Sequence, residues 1–433
     1  MQLAQGGTSV RDAELNREQR AKVLGRLEKV VANYFYDPSL RGIDWRAAVE
    51  THRESILKVA TEEEFERELT ALLSELKTSH LGVFRKHAPR GTAKSVISAS
   101  YAAFPVRGED RWTFQNVHEG GPASVSGIRP GDVLLSIDGK DFHPPEHPVF
   151  QTGKMLAVEI VTQGMRRETR NLIVPVPPKK RLQLPQAKAA LVINKRLSDS
   201  IGYIRISSFP GIAGVDVANA VSAAVKELLP IDRLIIDVRG NTGGGAGVLR
   251  VMSLLTPERL PVGYSVNRKQ QKLVGQLHRF SVFDHIPPTT KELRIRGLMF
   301  LPHVKPLLFG SLLKPILLRT EGLGVQPFHR RVVLLADRHT ASAAEMLVAF
   351  ARENQLALVV GEATPGRVLQ GSAFGVGYGY HIALPIAAYR TAREWILEGH
   401  PIKPDVEVPF DPELAREGLD PQLDQAIATV RGL

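Results

Sequence analysis

Apolar side chains at Phe65, Leu69, Leu72, Leu73 and Leu76 recur at intervals of three and four, the spacing that lines one face of a helix. Thr61-Glu62-Glu63-Glu64, immediately ahead, has the form of a capping box, in which an N-cap hydroxyl and a carboxylate three residues on satisfy two orphan backbone donors. Asp44 stands in N-cap position before Trp45-Arg46-Ala47-Ala48. Residues 17–80 therefore predict a helical region. Its last helix ends at Lys77-Thr78-Ser79-His80, and Leu81-Gly82-Val83-Phe84 reads as extended. His80 falls just past a helix C-terminus, where the macrodipole favours positive charge, so by position alone it reads as a cap.

The pattern then changes. Residues 95–175 are β-rich and dense in turn signals. Pro122 suits the first position of a short helix and Gly127 its left-handed end, while Asp138-Gly139 is a tight hairpin signal after Val133–Ile137. The segment from Val117 to Gly139 resembles a PDZ domain, a fold that takes extended peptide ends by strand addition. The usual carboxylate-binding loop is not evident, so recruitment of a peptide and a spacer role both stay open. Pro175-Val176-Pro177-Pro178-Lys179-Lys180-Arg181 marks a linker, placed at 176–186.

Beyond it, strand and helix patterns alternate. Ile201–Ile206 alternates as a half-buried strand, and residues 215–229 read as a helix. Leu234-Ile235-Ile236-Asp237-Val238 and Val332–Ala336 are apolar runs of strands buried on both faces; 342–353 is a helix and 356–360 a further strand. Such alternation predicts an α/β domain, over 187–433, with its chemistry beyond the strand C-terminal ends. The expected whole is a multidomain α+β chain: an extension at 1–16, a helical domain at 17–90, the PDZ-like module at 95–175, and the α/β domain with an apolar, lid-like insertion at 265–328. The most apolar stretch, 298–318, is broken by His303, Lys305, Pro306, Lys314 and Pro315; a buried lid and contact with a membrane or greasy substrate both fit it.

Composition narrows this little. At 433 residues, with 43% hydrophobic and 23% charged residues, the chain is of ordinary globular make-up and long enough for two or three domains. The net charge of +11 favours acidic partners, but its Lys and Arg are spread out and no nucleic-acid motif appears, so no nucleic-acid partner is expected. There is no cysteine, which excludes disulfides, thiolate metal sites and a thiol nucleophile without deciding the compartment. Met1 to Arg20 carry no apolar leader and no run of 18 apolar residues exists, so no signal and no membrane span are expected; a mature exported form and a cytosolic protein both fit.

Two strand-to-helix turns carry the candidate chemistry. Asp237-Val238-Arg239-Gly240-Asn241-Thr242-Gly243-Gly244-Gly245 is glycine-rich directly after a strand, which lets backbone N–H groups approach a ligand; no Lys-Ser/Thr pair makes it a P-loop. In Asp337-Arg338-His339-Thr340-Ala341-Ser342-Ala343-Ala344-Glu345 a serine among small residues opens a helix. It is either an N-cap or a nucleophile whose neighbour Ala343 offers an N–H to an oxyanion. The Gly-x-Ser-x-Gly elbow is absent.

Together with Val359-Val360-Gly361-Glu362-Ala363-Thr364-Pro365-Gly366-Arg367, these turns, the PDZ-like module and the helical N-terminus resemble the C-terminal-processing, or tail-specific, serine peptidases. That resemblance implies a ClpP/crotonase-like catalytic domain and Ser342 as nucleophile. Where the bacterial tail-specific branch has a lysine base, this chain has Arg367, 25 residues after Ser342, and a guanidinium cannot take the serine proton. The tricorn-like branch uses a Ser-His pair instead, matched by Ser79-His80, and a glutamate, matched by Glu398 ahead of Pro404-Asp405, with Glu394 as a competing candidate. The resemblance thus implies His80 as general base, Ser79 and Glu398 orienting it, and an oxyanion hole from Gly243 and Ala343. Arg367 and Gly244 are left for substrate binding or loop support. The implied function is a serine endopeptidase cleaving near C-terminal tails, with a polypeptide partner and no metal or other cofactor. A non-catalytic carrier of peptide or hydrophobic ligand and a non-peptidase serine hydrolase stand as alternatives on one scaffold.

Overall fold

The computed structural model describes residues 15–85, 90–92, 96–176, 189–211, 214–289, 292 and 314–433. They divide into two compact units, one of Met1–Lys86 with Gly371–Ile386 and one of His87–Gln370 with Ala387–Leu433.

The first unit packs helices Arg17–Tyr34, Trp45–Lys58 and Glu62–Ser74. Their starts are set locally, as expected. The Thr61 hydroxyl accepts from the Glu64 N–H at 3.2 Å and the Glu64 carboxylate from the Thr61 N–H at 3.1 Å, and Asp44 accepts from the Ala47 N–H at 3.0 Å. A second capping box joins Asn16 and Gln19. Phe65, Leu69, Leu72, Leu73 and Leu76 are all buried, each worth about 1.5–3 kcal/mol of burial. They meet Val376, Tyr380, Ile382 and Leu384 from the returning segment, and strand Gly82–Arg85 pairs antiparallel with residues 380–383. Residues 371–386 thus complete the helical unit from about 300 positions downstream in the sequence.

In the second unit, the PDZ-like module is an antiparallel sheet in the order Ala99–Val106, Glu109–Val117, Val133–Ile137, Met155–Val161, Arg167–Ile173. Pro122 opens the short helix Pro122–Val125, and Asp138 and Gly139 both take positive φ, the signature of the predicted hairpin turn.

The α/β part is a sheet in the order Val192–Arg196, Ile201–Ile206, Arg233–Asp237, Val332–Ala336, Leu358–Gly361, Val406–Glu407; all but the first strand run parallel. Successive side chains go to opposite faces. Leu234, Ile236, Val332 and Leu334 pack with helices Val215–Leu228, Val248–Leu255 and Ala343–Glu353, while Ile235, Val333 and Leu335 pack with Pro421–Arg431. The two candidate turns follow adjacent central strands, at the C-terminal edge where such sheets place their sites.

The strand Pro261–Asn267 runs into the expected insertion at 265–328, within which Ser281–Phe283 and Ile316–Arg319 are strands, and residues 387–391 pair with the first of the three. Of the apolar stretch 298–318, residues 298–313 lie outside the described residues, as do the linker residues 177–186. Among the described residues no helix is long and apolar enough to cross a membrane.

Candidate active site

The glycine turn starts from Asp237, which is fully buried. Burial opposes its ionisation, but Arg239 and Arg205 more than offset that and hold its carboxyl well below the usual range. Arg239 donates to both Asp237 oxygens and, at 2.8 Å each, to both oxygens of Asp420, tying the turn to the last helix. Downstream, Phe209 and Gly244 form a parallel bridge, with the Gly243 carbonyl accepting from the Phe209 N–H at 2.9 Å. Gly243 has φ +90°, and a Cβ there would lie 2.6 Å from Ser342 Cβ and 2.7 Å from the Ala343 nitrogen. Only glycine lets this backbone pass so close to the serine. The Gly243 N–H donates to Asn241 Oδ1 at 2.8 Å.

Ser342 is half-buried, at the N-cap of helix Ala343–Glu353, with φ 56° and ψ −122°. Such a conformation costs a non-glycine residue on the order of 1–3 kcal/mol and persists only where its surroundings impose it. Here they do. The Ser342 N–H donates to the Arg367 carbonyl at 3.0 Å, its carbonyl accepts from the Met346 N–H at 3.0 Å, and Ala341 N–H donates to Asn241 O at 2.9 Å. The Ala343 N–H, first in the helix, has no acceptor within it.

Glu345, fully buried, is a residue to which the sequence reading assigns no role. Its carboxylate accepts from the N–H groups of Ser342 (3.3 Å), Gly366 (2.7 Å) and Arg367 (2.8 Å). Burial raises its pKa in spite of those donors. The signal that could have found it is present: Ser342-x-x-Glu345 has capping-box spacing, the form recognised at Thr61. Arg367 enters the site through its backbone, its side chain being exposed. Glu398 accepts from the Val368 N–H at 2.9 Å, beside the same loop, whereas Glu394 is engaged by the Tyr264 hydroxyl at 2.7 Å.

Ser342, Ala343, Gly243 and the Arg367 loop with Glu398 therefore come together in the second unit. Ser79 and His80 come together in the first, Ser79 Oγ lying 2.7 Å from His80 Nδ1. His80 too has a positive φ, 60°, and its ring edge lies against Gly371.

A strained serine at the head of a helix, on the C-terminal edge of a parallel sheet, is the arrangement by which serine hydrolases present a nucleophile. Comparison with known proteins specifies the class. Residues 200–408 match the model of peptidase family S41, residues 113–149 that of the PDZ domain and residues 17–74 that of the tricorn protease C1 domain. The chain thus carries an S41 peptidase domain, a PDZ domain and a tricorn C1 domain, the set that the resemblance to C-terminal-processing peptidases implies. It is similar to tricorn protease homolog 2 of Streptomyces coelicolor, 27% identical over 426 residues, which are 92% of this chain and 31% of the relative. It is also similar to a carboxyl-terminal-processing protease of Synechocystis, 28% identical over 306 residues, 67% of this chain and 58% of the relative. The chain thus spans about a third to three fifths of the length of these relatives. Among solved structures, the photosystem II D1 C-terminal processing protease shares the fold at a TM-score of 0.56 and 16% identity, over 95% of this chain and 97% of that one.

Proposed function

We propose that this chain is a serine endopeptidase that cleaves polypeptides near their C-terminal tails, with Ser342 as nucleophile and His80 as general base. The observation that carries the reading is the meeting of the two turns: Gly243 lies against Ser342 and the Ala343 N–H, and the serine is held at φ 56° by bonds to its own backbone.

Ser342 Oγ bonds to the scissile carbonyl carbon while its proton passes to His80 Nε2. In the tautomer this requires, Nδ1–H is donated to Ser79 Oγ, 2.7 Å away, and the Nε2 lone pair is the one that takes the serine proton. The oxyanion is taken by the Ala343 N–H and by Gly243, whose N–H exchanges Asn241 Oδ1 for the charged oxygen. His80 returns its proton to the leaving nitrogen as the C–N bond breaks, and water then hydrolyses the ester by the same steps in reverse order. Glu398, fixed on the Arg367 loop, polarises the Ser79–His80 pair. Arg367 excludes a Ser-Lys dyad, and its exposed guanidinium suits the carboxylate of a substrate tail. The PDZ-like module recruits that tail.

A fluorophosphonate probe tests this. Wild type is expected to label on Ser342 and to cleave unfolded polypeptides; Ser342→Ala abolishes both, and His80→Ala slows labelling about a hundredfold or more. Labelling that survives Ser342→Ala, or a folded wild type that never labels, overturns the assignment.

A further inference from the structure

Three polar side chains of the PDZ-like module are buried against the α/β part of the same unit, and all three reach the catalytic turns. Asn116 Nδ2 donates to Asp337 Oδ2 at 2.6 Å, Gln115 Nε2 to Glu362 at 2.5 Å with its Oε1 3.1 Å from His339 Nε2, and His118 Nε2 lies 3.4 Å from the Gly240 carbonyl. Burying such groups is costly unless each finds a partner, so their placement is specific.

Asp337 is the point of convergence. It is fully buried, and its Oδ1 accepts from the Gly240 N–H (3.0 Å), the His339 N–H (3.0 Å) and the Thr340 hydroxyl (3.1 Å). One oxygen therefore holds both the glycine turn, at Gly240, and the nucleophile turn, at His339 and Thr340. The other oxygen is held by Asn116, whose own Oδ1 faces Arg205 at 3.5 Å and whose Nδ2 also meets Ser100 at 2.9 Å. Gly240 is shaped to this contact: it has φ +74°, and a Cβ there would fall 2.8 Å from Asn116 Cβ. Three residues beyond Gly240 stands Gly243, and two beyond Thr340 stands Ser342.

We propose that Asn116 is a positioning residue for the reaction: by fixing the second oxygen of Asp337 it fixes the carboxylate that sets the spacing of Gly243 against Ser342 and Ala343. This rests on the reading of Ser342 as nucleophile. It makes the strand Glu109–Val117 a brace of the catalytic turns, a role distinct from any peptide the module takes. Removal of a hydrogen bond to a charged group of this kind, expressed in transition-state alignment, corresponds to a loss of about tenfold to a hundredfold in rate.

The test is the rate of fluorophosphonate labelling of the full chain, with kcat and KM on a polypeptide that the wild type cleaves, in variants whose fold is checked by near-ultraviolet circular dichroism. Asn116→Ala is expected to slow labelling and lower kcat about tenfold or more with KM little changed. Asn116→Asp sets a carboxylate against Asp337, partly offset by Arg205, and is expected to be slower still; adding Asp337→Asn restores an amide–carboxylate pair in reverse and recovers much of the rate. Arg416→Ala, which removes a separate attachment of the module at the Gly131 carbonyl (2.9 Å), is expected to label as the wild type does. An unchanged labelling rate in folded Asn116→Ala overturns the proposal, as does equal slowing in Arg416→Ala or a double variant no faster than Asn116→Asp. A wild type that fails to label overturns the nucleophile assignment instead, so the two failures are distinguishable.

Discussion

The glycine turn and the Ser342 turn leave adjacent parallel strands, and each begins with a fully buried aspartate, yet the two aspartates are satisfied in opposite ways. Asp237 is met by charge: Arg239 grips both its oxygens and Arg205 adds to the field, while Arg239 is shared with Asp420 from the end of the chain. Asp337 is met by neutral donors, two backbone N–H groups, a hydroxyl and the Asn116 amide. The first arrangement is an anchor, strong and intolerant of losing a partner. The second is a set of directed bonds that place backbone atoms. Stability should therefore depend on the first turn, and the placement of Ser342 on the second.

Three experiments break or sharpen that contrast. Arg239→Ala leaves Asp237 buried without its main counter-charge, and the expected loss is about 3–5 kcal/mol in urea unfolding, larger than for any single neutral donor to Asp337; a loss under about 1 kcal/mol would erase the distinction. Gly243→Ala puts a methyl against Ser342 and the Ala343 nitrogen and strains a φ of +90°. Labelling should fall by about a hundredfold to a thousandfold, the usual effect of losing an oxyanion donor, with a smaller change in unfolding free energy. The third concerns His118, which links the module to Gly240. Burial first, and the neighbouring Arg205 second, push its imidazole down to about 4. The unfolded chain then binds the proton first, so stability is full above pH about 6.5 and falls as pH drops towards 4, by about 3 kcal/mol at most. His118→Gln should flatten that part of the curve of unfolding free energy against pH; an unaltered slope would mean that other groups carry it.

Much of the site was legible because its parts are local. The capping box at Thr61, the strand runs 234–238 and 332–336, and the serine opening a helix at 342 follow from periodicity and turn chemistry within a few residues. Glu345 is legible by the same rule, since it stands three residues after the N-cap Ser342. Asn116 and Gln115 are not: as neighbours on a strand they point to opposite faces, so periodicity expects only one of them to be buried, and only partners more than 200 positions away in sequence explain the burial of both. By order in the sequence, residues 371–386 belong to the α/β domain, and nothing local says that Val376, Tyr380, Ile382 and Leu384 fill the core under the N-terminal helices.

The sequence by itself determined the element types, the helix starts, the parallel sheet and the exclusion of a lysine base at Arg367, since each is a matter of nearest neighbours or of a side chain's own chemistry. Tertiary structure decided which backbone is strained at Ser342, which N–H groups Glu345 and Asn241 hold, and which carboxylate the PDZ-like module braces. Those depend on groups brought together across the fold, where packing fixes which of several possible hydrogen bonds is made.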